Sequence, residues 1–106
     1  MIQKVTIELQ KFYQKNPSLL SKVFEDEVVL LPICKDMVKL EKIFIITGAG
    51  IRIWELIDGQ RNVEMIKREI IEEFEVGSKK AEEDLIMFLK ELEKRGCIKE
   101  VKNEKE

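Results

Sequence analysis

Residues 51–66 read IRIWELIDGQRNVEMI and compress a helix, its stop, a turn and the next helix start into sixteen positions. Ile53, Trp54 and Ile57 recur at helical spacing, which gives the first helix one apolar side. Asp58-Gly59 is expected to end it, because glycine takes the left-handed conformation that closes a helix. Asn62 is the expected N-cap of the next helix, its side chain accepting from a free backbone N–H one turn in. Val63, Ile66, Ile70 and Phe74 carry the apolar stripe onward. Trp54, the only tryptophan, falls on that stripe and is expected to anchor the first helix.

Other elements arrange themselves around this stretch. Upstream lie three short β-rich runs: Leu19 to Phe24, Val28 to Ile33 with Pro32 near its end, and Lys42 to Thr47. They predict a small antiparallel sheet, with Cys34 to Glu41 as a connecting loop. Thr47 is expected to cap the first helix, and Gly48 and Gly50 let it start close to another backbone. A phosphate loop is not indicated, since no Gly-Lys-Ser/Thr or dinucleotide fingerprint follows. Downstream, Ser78 is the expected cap of a third helix running to about Arg95, with Ala81, Leu85, Phe88, Leu89 and Leu92 on one stripe. Gly96 stops it, and Cys97 to Val101 forms a short final strand. The N-terminal residues 1–18 fit either period: Val5, Ile7 and Leu9 alternate, while Ile2, Val5, Leu9 and Phe12 are spaced as on a helix. The run through Phe12-Tyr13 to the break at Asn16-Pro17 favours a helix, packed on the domain rather than held out as an arm.

The resulting organisation is a helical extension at 1–18, one domain at 19–101 and a charged tail at 102–106. The fold class is α+β and winged-helix-like: a small three-stranded antiparallel sheet followed by a three-helix cluster.

The residue inventory narrows the chemistry. The 106 residues contain no histidine, and the two cysteines, Cys34 and Cys97, form no C-x-x-C pair. A metal site, imidazole acid–base chemistry and a hydroxyl triad all lack their groups. The cysteines read as reduced, buried thiols. Glu72-Glu73 and Glu82-Glu83-Asp84 fall at solvated helix positions. No cofactor and no enzymatic activity are expected. No apolar run spans a membrane and the N-terminus lacks a signal-peptide core, so a cytoplasmic protein with no membrane partner is expected.

Binding remains, in two forms. DNA recognition through helices two and three would need basic and amide side chains at the start of the third helix. Ser78 to Arg95 instead holds five basic and five acidic residues, and net charge is -2, so nucleic acid is not expected as a partner. Peptide recognition would use an edge strand. Four or five backbone hydrogen bonds at about 1 kcal/mol each fall short of the roughly 8 kcal/mol of micromolar binding. Apolar anchors must supply the rest. Ile43, Ile45, Leu85 and Phe88 are placed to line a groove between the third strand and the third helix, with Met87 and Asp84 on its flank. Leu85, Leu89 and Leu92 read rather as core.

The strings VVLLPI, KIFIITGAGIRIWELIDG, QRNVEMIKREIIEEFEV and AEEDLIMFLKELEKRGCI appear in the order of strands two and three and helices one to three of the PqqD-like family, which the chain resembles from about Val23 to Val101. It departs at Ile46-Thr47, where the family usually has Leu-Asn, at Gly48-Ala49 in place of Glu-Thr, and at Gly96-Cys97-Ile98 in place of Gly-Leu-Ile. The resemblance implies a non-catalytic peptide chaperone. Such proteins bind the leader of a ribosomally made precursor peptide and present it to a modifying enzyme, often a radical S-adenosylmethionine enzyme. It further implies strand addition at Ile43, Phe44, Ile45 and Ile46, with contacts from Asp84, Leu85, Met87 and Phe88. The alternative is a winged-helix DNA-binding or protein-interaction domain. Homodimerisation through the N-terminal segment or strand edges stays open.

Overall fold

The computed structural model describes residues 8–31, 33–34, 37–38 and 43–102. The expectations for Ile2, Val5 and Ile7, for Pro32, for Lys42 and for the last four residues lie outside these.

The three predicted strands are present and antiparallel, in the order β2 (Leu20–Val23), β3 (Val28–Leu31), β6 (Phe44–Ile46). Register runs Val23↔Val28, Val28↔Ile46 and Leu30↔Phe44. Pleating therefore places Val28, Leu30, Phe44 and Ile46 on the face toward the helices, and Leu20, Val29, Leu31 and Ile45 on the other. Val28, Leu30 and Ile46 are buried accordingly. The expected loop after β3 instead carries a two-residue pairing, β4 (Ile33–Cys34) with β5 (Met37–Val38).

Three helices follow: α1 (Ala49–Leu56), α2 (Val63–Phe74) and α3 (Ser78–Lys94). Their buried stripes, Ile53, Trp54 and Leu56, then Val63, Ile66 and Ile70, then Ala81, Leu85, Leu89 and Leu92, meet in one core with Val28, Leu30 and Ile46. Asn62 caps α2 as expected, its side-chain oxygen accepting from the Met65 N–H at 2.9 Å while the Asn62 N–H reaches Met65 Sδ at 3.4 Å.

Two other caps differ from expectation. Gly48, not Thr47, stands at the start of α1, and Gly77, not Ser78, at the start of α3; neither helix has a side-chain cap. The first helix also ends at Leu56, before Asp58-Gly59. There the Asp58 carboxylate accepts from the N–H groups of Gln60 and Arg61 at 2.9 and 3.1 Å, so an Asx-type turn does the turning. At the end of α3 the Gly96 N–H bonds the Glu93 carbonyl and the Cys97 N–H bonds the Leu92 carbonyl, with Gly96 at φ 78°. This is the Schellman arrangement, which only a residue at ease in left-handed backbone closes cheaply.

The N-terminal segment departs most from its reading. Residues 8–10 are helical, but Tyr13–Lys15 form a strand, β1, antiparallel to β7 (Ile98–Glu100). On its other side the Tyr13 carbonyl accepts from the Gly59 N–H at 2.8 Å, and the Lys11 carbonyl accepts from the Val63 N–H at 3.0 Å. The strand is thus wedged between β7 and the α1–α2 turn. Its Tyr13 ring is 2% exposed and belongs to the core.

Candidate groove between the edge strand and the third helix

β6 has β3 on one side and, among the described residues, no strand on the other. Its outer edge keeps backbone groups available for a further strand. α3 runs beside that edge. At one end Phe88 approaches the β6–α1 junction, where a Cβ on Gly50 would lie 2.9 Å from Ile46 Cγ2 and 3.2 Å from Phe88 Cζ. At the other end the Arg95 guanidinium lies over the Phe44 ring, 4.5 Å from its centroid. Helical spacing puts Asp84 and Glu91 on the same stripe as Phe88 and Arg95.

The eight residues expected at the site separate into four groups. Phe44, Phe88 and Asp84 flank the gap between β6 and α3; Phe44 and Phe88 are half-buried and Asp84 is exposed. Ile46 and Leu85, each 2% exposed, are core and support the site from below. Ile43 and Ile45 are exposed, but alternation directs Ile45 to the sheet face away from the helices, beside Val29. Met87, 69% exposed, projects away from the gap and lines a separate shallow concavity with Lys79, Glu83 and Ile86.

Sequence reasoning missed Arg95 and Glu91. Their signal was the i, i+4, i+7, i+11 run from Asp84 to Arg95, beside the apolar stripe rather than on it. The three charges of this stripe are held locally: Arg95 Nε donates to Glu91 Oε2 at 2.6 Å, and Lys80 Nζ lies 3.3 Å from Asp84 Oδ2.

Reactive groups are scarce here. Burial pushes the Cys97 thiol above its ordinary value, partly offset by Arg95, and a buried thiol of raised pKa is a poor nucleophile. Among the described residues no three Cys, Asp or Glu side chains cluster so as to hold a metal ion, and no helix is long and apolar enough to cross a membrane. The arrangement suits holding an extended chain between a strand edge and a helix flank that offers one aromatic ring, Phe88, among three charged side chains.

Comparison with known proteins agrees with that architecture. A search of curated protein sequences finds no match. A solved structure described as TbiB1 in complex with the TbiA(beta) leader peptide is 27% identical, with a TM-score of 0.70, over 85% of this chain and 99% of that one. The family profile for coenzyme PQQ synthesis protein D matches residues 27–98, from the residue before β3 through the first residue of β7. That match spans β3, β6, all three helices and the whole of the groove, and the chain belongs to the PqqD family.

Proposed function

We propose that this protein binds the leader segment of a ribosomally made precursor peptide and presents it to a modifying enzyme, doing no chemistry itself. The observation that carries this reading is the edge of β6 that no described strand covers, lying beside the Asp84–Phe88–Glu91–Arg95 flank of α3. Membership of the PqqD family and likeness to a structure solved with a leader peptide both support it. The leader adds as a strand on Phe44–Ile46, and Phe44 and Phe88 supply the apolar contacts that backbone hydrogen bonds alone leave wanting. The partner is a peptide-modifying enzyme, by family likeness one of the radical S-adenosylmethionine class.

The test is a titration with the leader halves of short peptides encoded beside the gene, read by amide NMR. Micromolar or tighter binding is expected, with shifts centred on residues 43–47 and 84–95. Tight binding with shifts confined to α2 or to β1 would place the peptide elsewhere and overturn the strand-addition reading.

A further inference from the structure

The groove does not end where β6 ends. Past Ile46 the chain turns at Gly48 (φ 62°) into α1, and beside the start of that helix opens a cavity of about 340 Å³ between all three helices. Its floor is Ile53, Ile70 and Leu85, all buried. Its walls include Ala49 and Ala81, two small side chains where larger ones would close the space. Phe74, 44% exposed, stands on its rim with the Lys80–Asp84 ion pair. Asp84, on the groove stripe of α3, also lines the cavity, and Ala49 is three residues beyond Ile46, so the cavity opens next to the end of β6.

We infer that this cavity takes one large apolar side chain, of leucine or phenylalanine size, from the peptide paired with β6, at the position that clears the end of the strand. The inference rests on the proposed strand addition and supplies the anchor that such pairing lacks. The cavity lies at the small end of the range for ligand sites, which suits one side chain better than a cofactor. The apolar floor leaves a polar side chain without partners, whereas the Lys80–Asp84 rim lets the peptide backbone stay hydrated outside. Selection is therefore by bulk and apolarity at one fixed position, and it acts in addition to contacts along the groove itself.

Two measurements on the full chain test this. First, N-acetyl-phenylalanine amide and N-acetyl-leucine amide, with N-acetyl-glycine amide as control, are titrated while the methyl signals of Ile53, Ile70 and Leu85 are followed. Saturable shifts with the first two and none with glycine are expected; absence of saturable shifts with all three overturns the cavity as a side-chain site. Ala49→Leu, at an exposed position that leaves the core intact, should abolish the shifts, and Ala81→Met is the second filling variant. Second, peptides are selected on the protein from a random library. Binders should carry a bulky apolar residue at a constant distance from the segment that protects β6 amides. Replacing that residue by alanine should weaken binding at least tenfold on the parent protein and under twofold on Ala49→Leu. Binders that pair with β6 without such a residue would sink the anchor while leaving the leader reading intact. Fragments that fill the cavity, with no selected peptide pairing with β6, would sink both the proposed occupant and the reading beneath it.

Discussion

Single residues set how closely the elements approach. Gly50 lies where α1, β6 and α3 meet, and a methyl there would be 2.9 Å from Ile46 Cγ2, closer than side chains pack. Gly50→Ala gains about 1 kcal/mol in helix propensity but forces apart two groups on which the groove depends, at about 1–3 kcal/mol. A net loss is expected, seen as a lower urea midpoint with unchanged slope; a more stable variant would mean that the junction yields freely. Trp54, 5% exposed with the Lys15 ammonium 5.0 Å from its ring centroid, is the largest core side chain, and Trp54→Ala should cost about 3–5 kcal/mol in the same measurement. Lys67 is the one buried charge among the described residues, held 3.1 Å from both Glu64 and Glu82. Burial alone would lower its pKa, but the two carboxylates reverse this and raise it; burial would raise Glu64, but Lys67 and Arg68 reverse that and lower it. The Glu64 contribution is thus present above the ordinary carboxylate value of about 4.3 and disappears as pH falls through its lowered folded value. The Lys67 contribution is present below about 10.4 and disappears as pH rises through its raised value. Lys67→Met should cost about 1–2 kcal/mol at neutral pH and flatten the acid limb of stability against pH; an acid limb identical to that of the parent would show that the pair is energetically idle. Sequence reading found Trp54 and the Asn62 cap because both depend on spacing. It could not find Lys67, since its partner Glu82 lies fifteen residues away on another helix.

Elements made by local pattern were legible, and elements made by distant pairing were not. The three helices and the β2–β3–β6 sheet follow from periodicity and from breakers at Asp58-Gly59, Gly77 and Gly96. β1 failed because its partner, β7, stands more than eighty residues on, and the apolar spacing of the first twelve residues fits a helix as well as a strand. Of the α3 residues expected beside strand three, Asp84 and Phe88 share one stripe of the helix, Leu85 is core and Met87 projects elsewhere, while Arg95, eleven residues on from Asp84, covers Phe44. Tyr13 reports on β1 directly, being the only tyrosine. Burial, and then the nearby carboxylates of Glu93, Glu8 and Glu100, push its phenol well above the ordinary value. A raised value means that Tyr13 favours the fold below about pH 10 and that this contribution fades as pH climbs beyond it. Tyrosinate absorbance in the native protein should therefore lag behind that of the protein in urea. Titration at the ordinary value without loss of structure would mean that β1 detaches freely. Deleting residues 1–16 should lower the urea midpoint markedly, since it strips β7 of its partner and opens the core at Tyr13.

At the scale of the whole molecule, the start of α3 carries three successive carboxylates, Glu82, Glu83 and Asp84, and the fold engages them unequally. Glu82 is engaged by Lys67 at 3.1 Å, and Asp84 by Lys80 at 3.3 Å. Glu83 is exposed and falls on the side of α3 turned from β6, while Asp84 shares the groove stripe with Phe88. With a net charge of only -2, long-range steering by the molecule as a whole is weak. On the proposed reading, any electrostatic preference for a Lys- or Arg-bearing leader would act locally, through Asp84, and would be modest, because an exposed pair is worth about 0.2–1 kcal/mol. Asp84→Lys should weaken binding of such a leader about two- to fivefold at low salt, and Glu83→Lys should change it by less. Both differences should vanish in 1 M salt, where screening acts over about 3 Å. Titrations of the parent and the two variants at both salt concentrations separate the possibilities. Equal affinity of the parent and Asp84→Lys at low salt would remove charge from the recognition, leaving β6 pairing and apolar contact to select the peptide. A Glu83→Lys loss as large as that of Asp84→Lys would instead place the peptide across the outer face of α3, beside Met87.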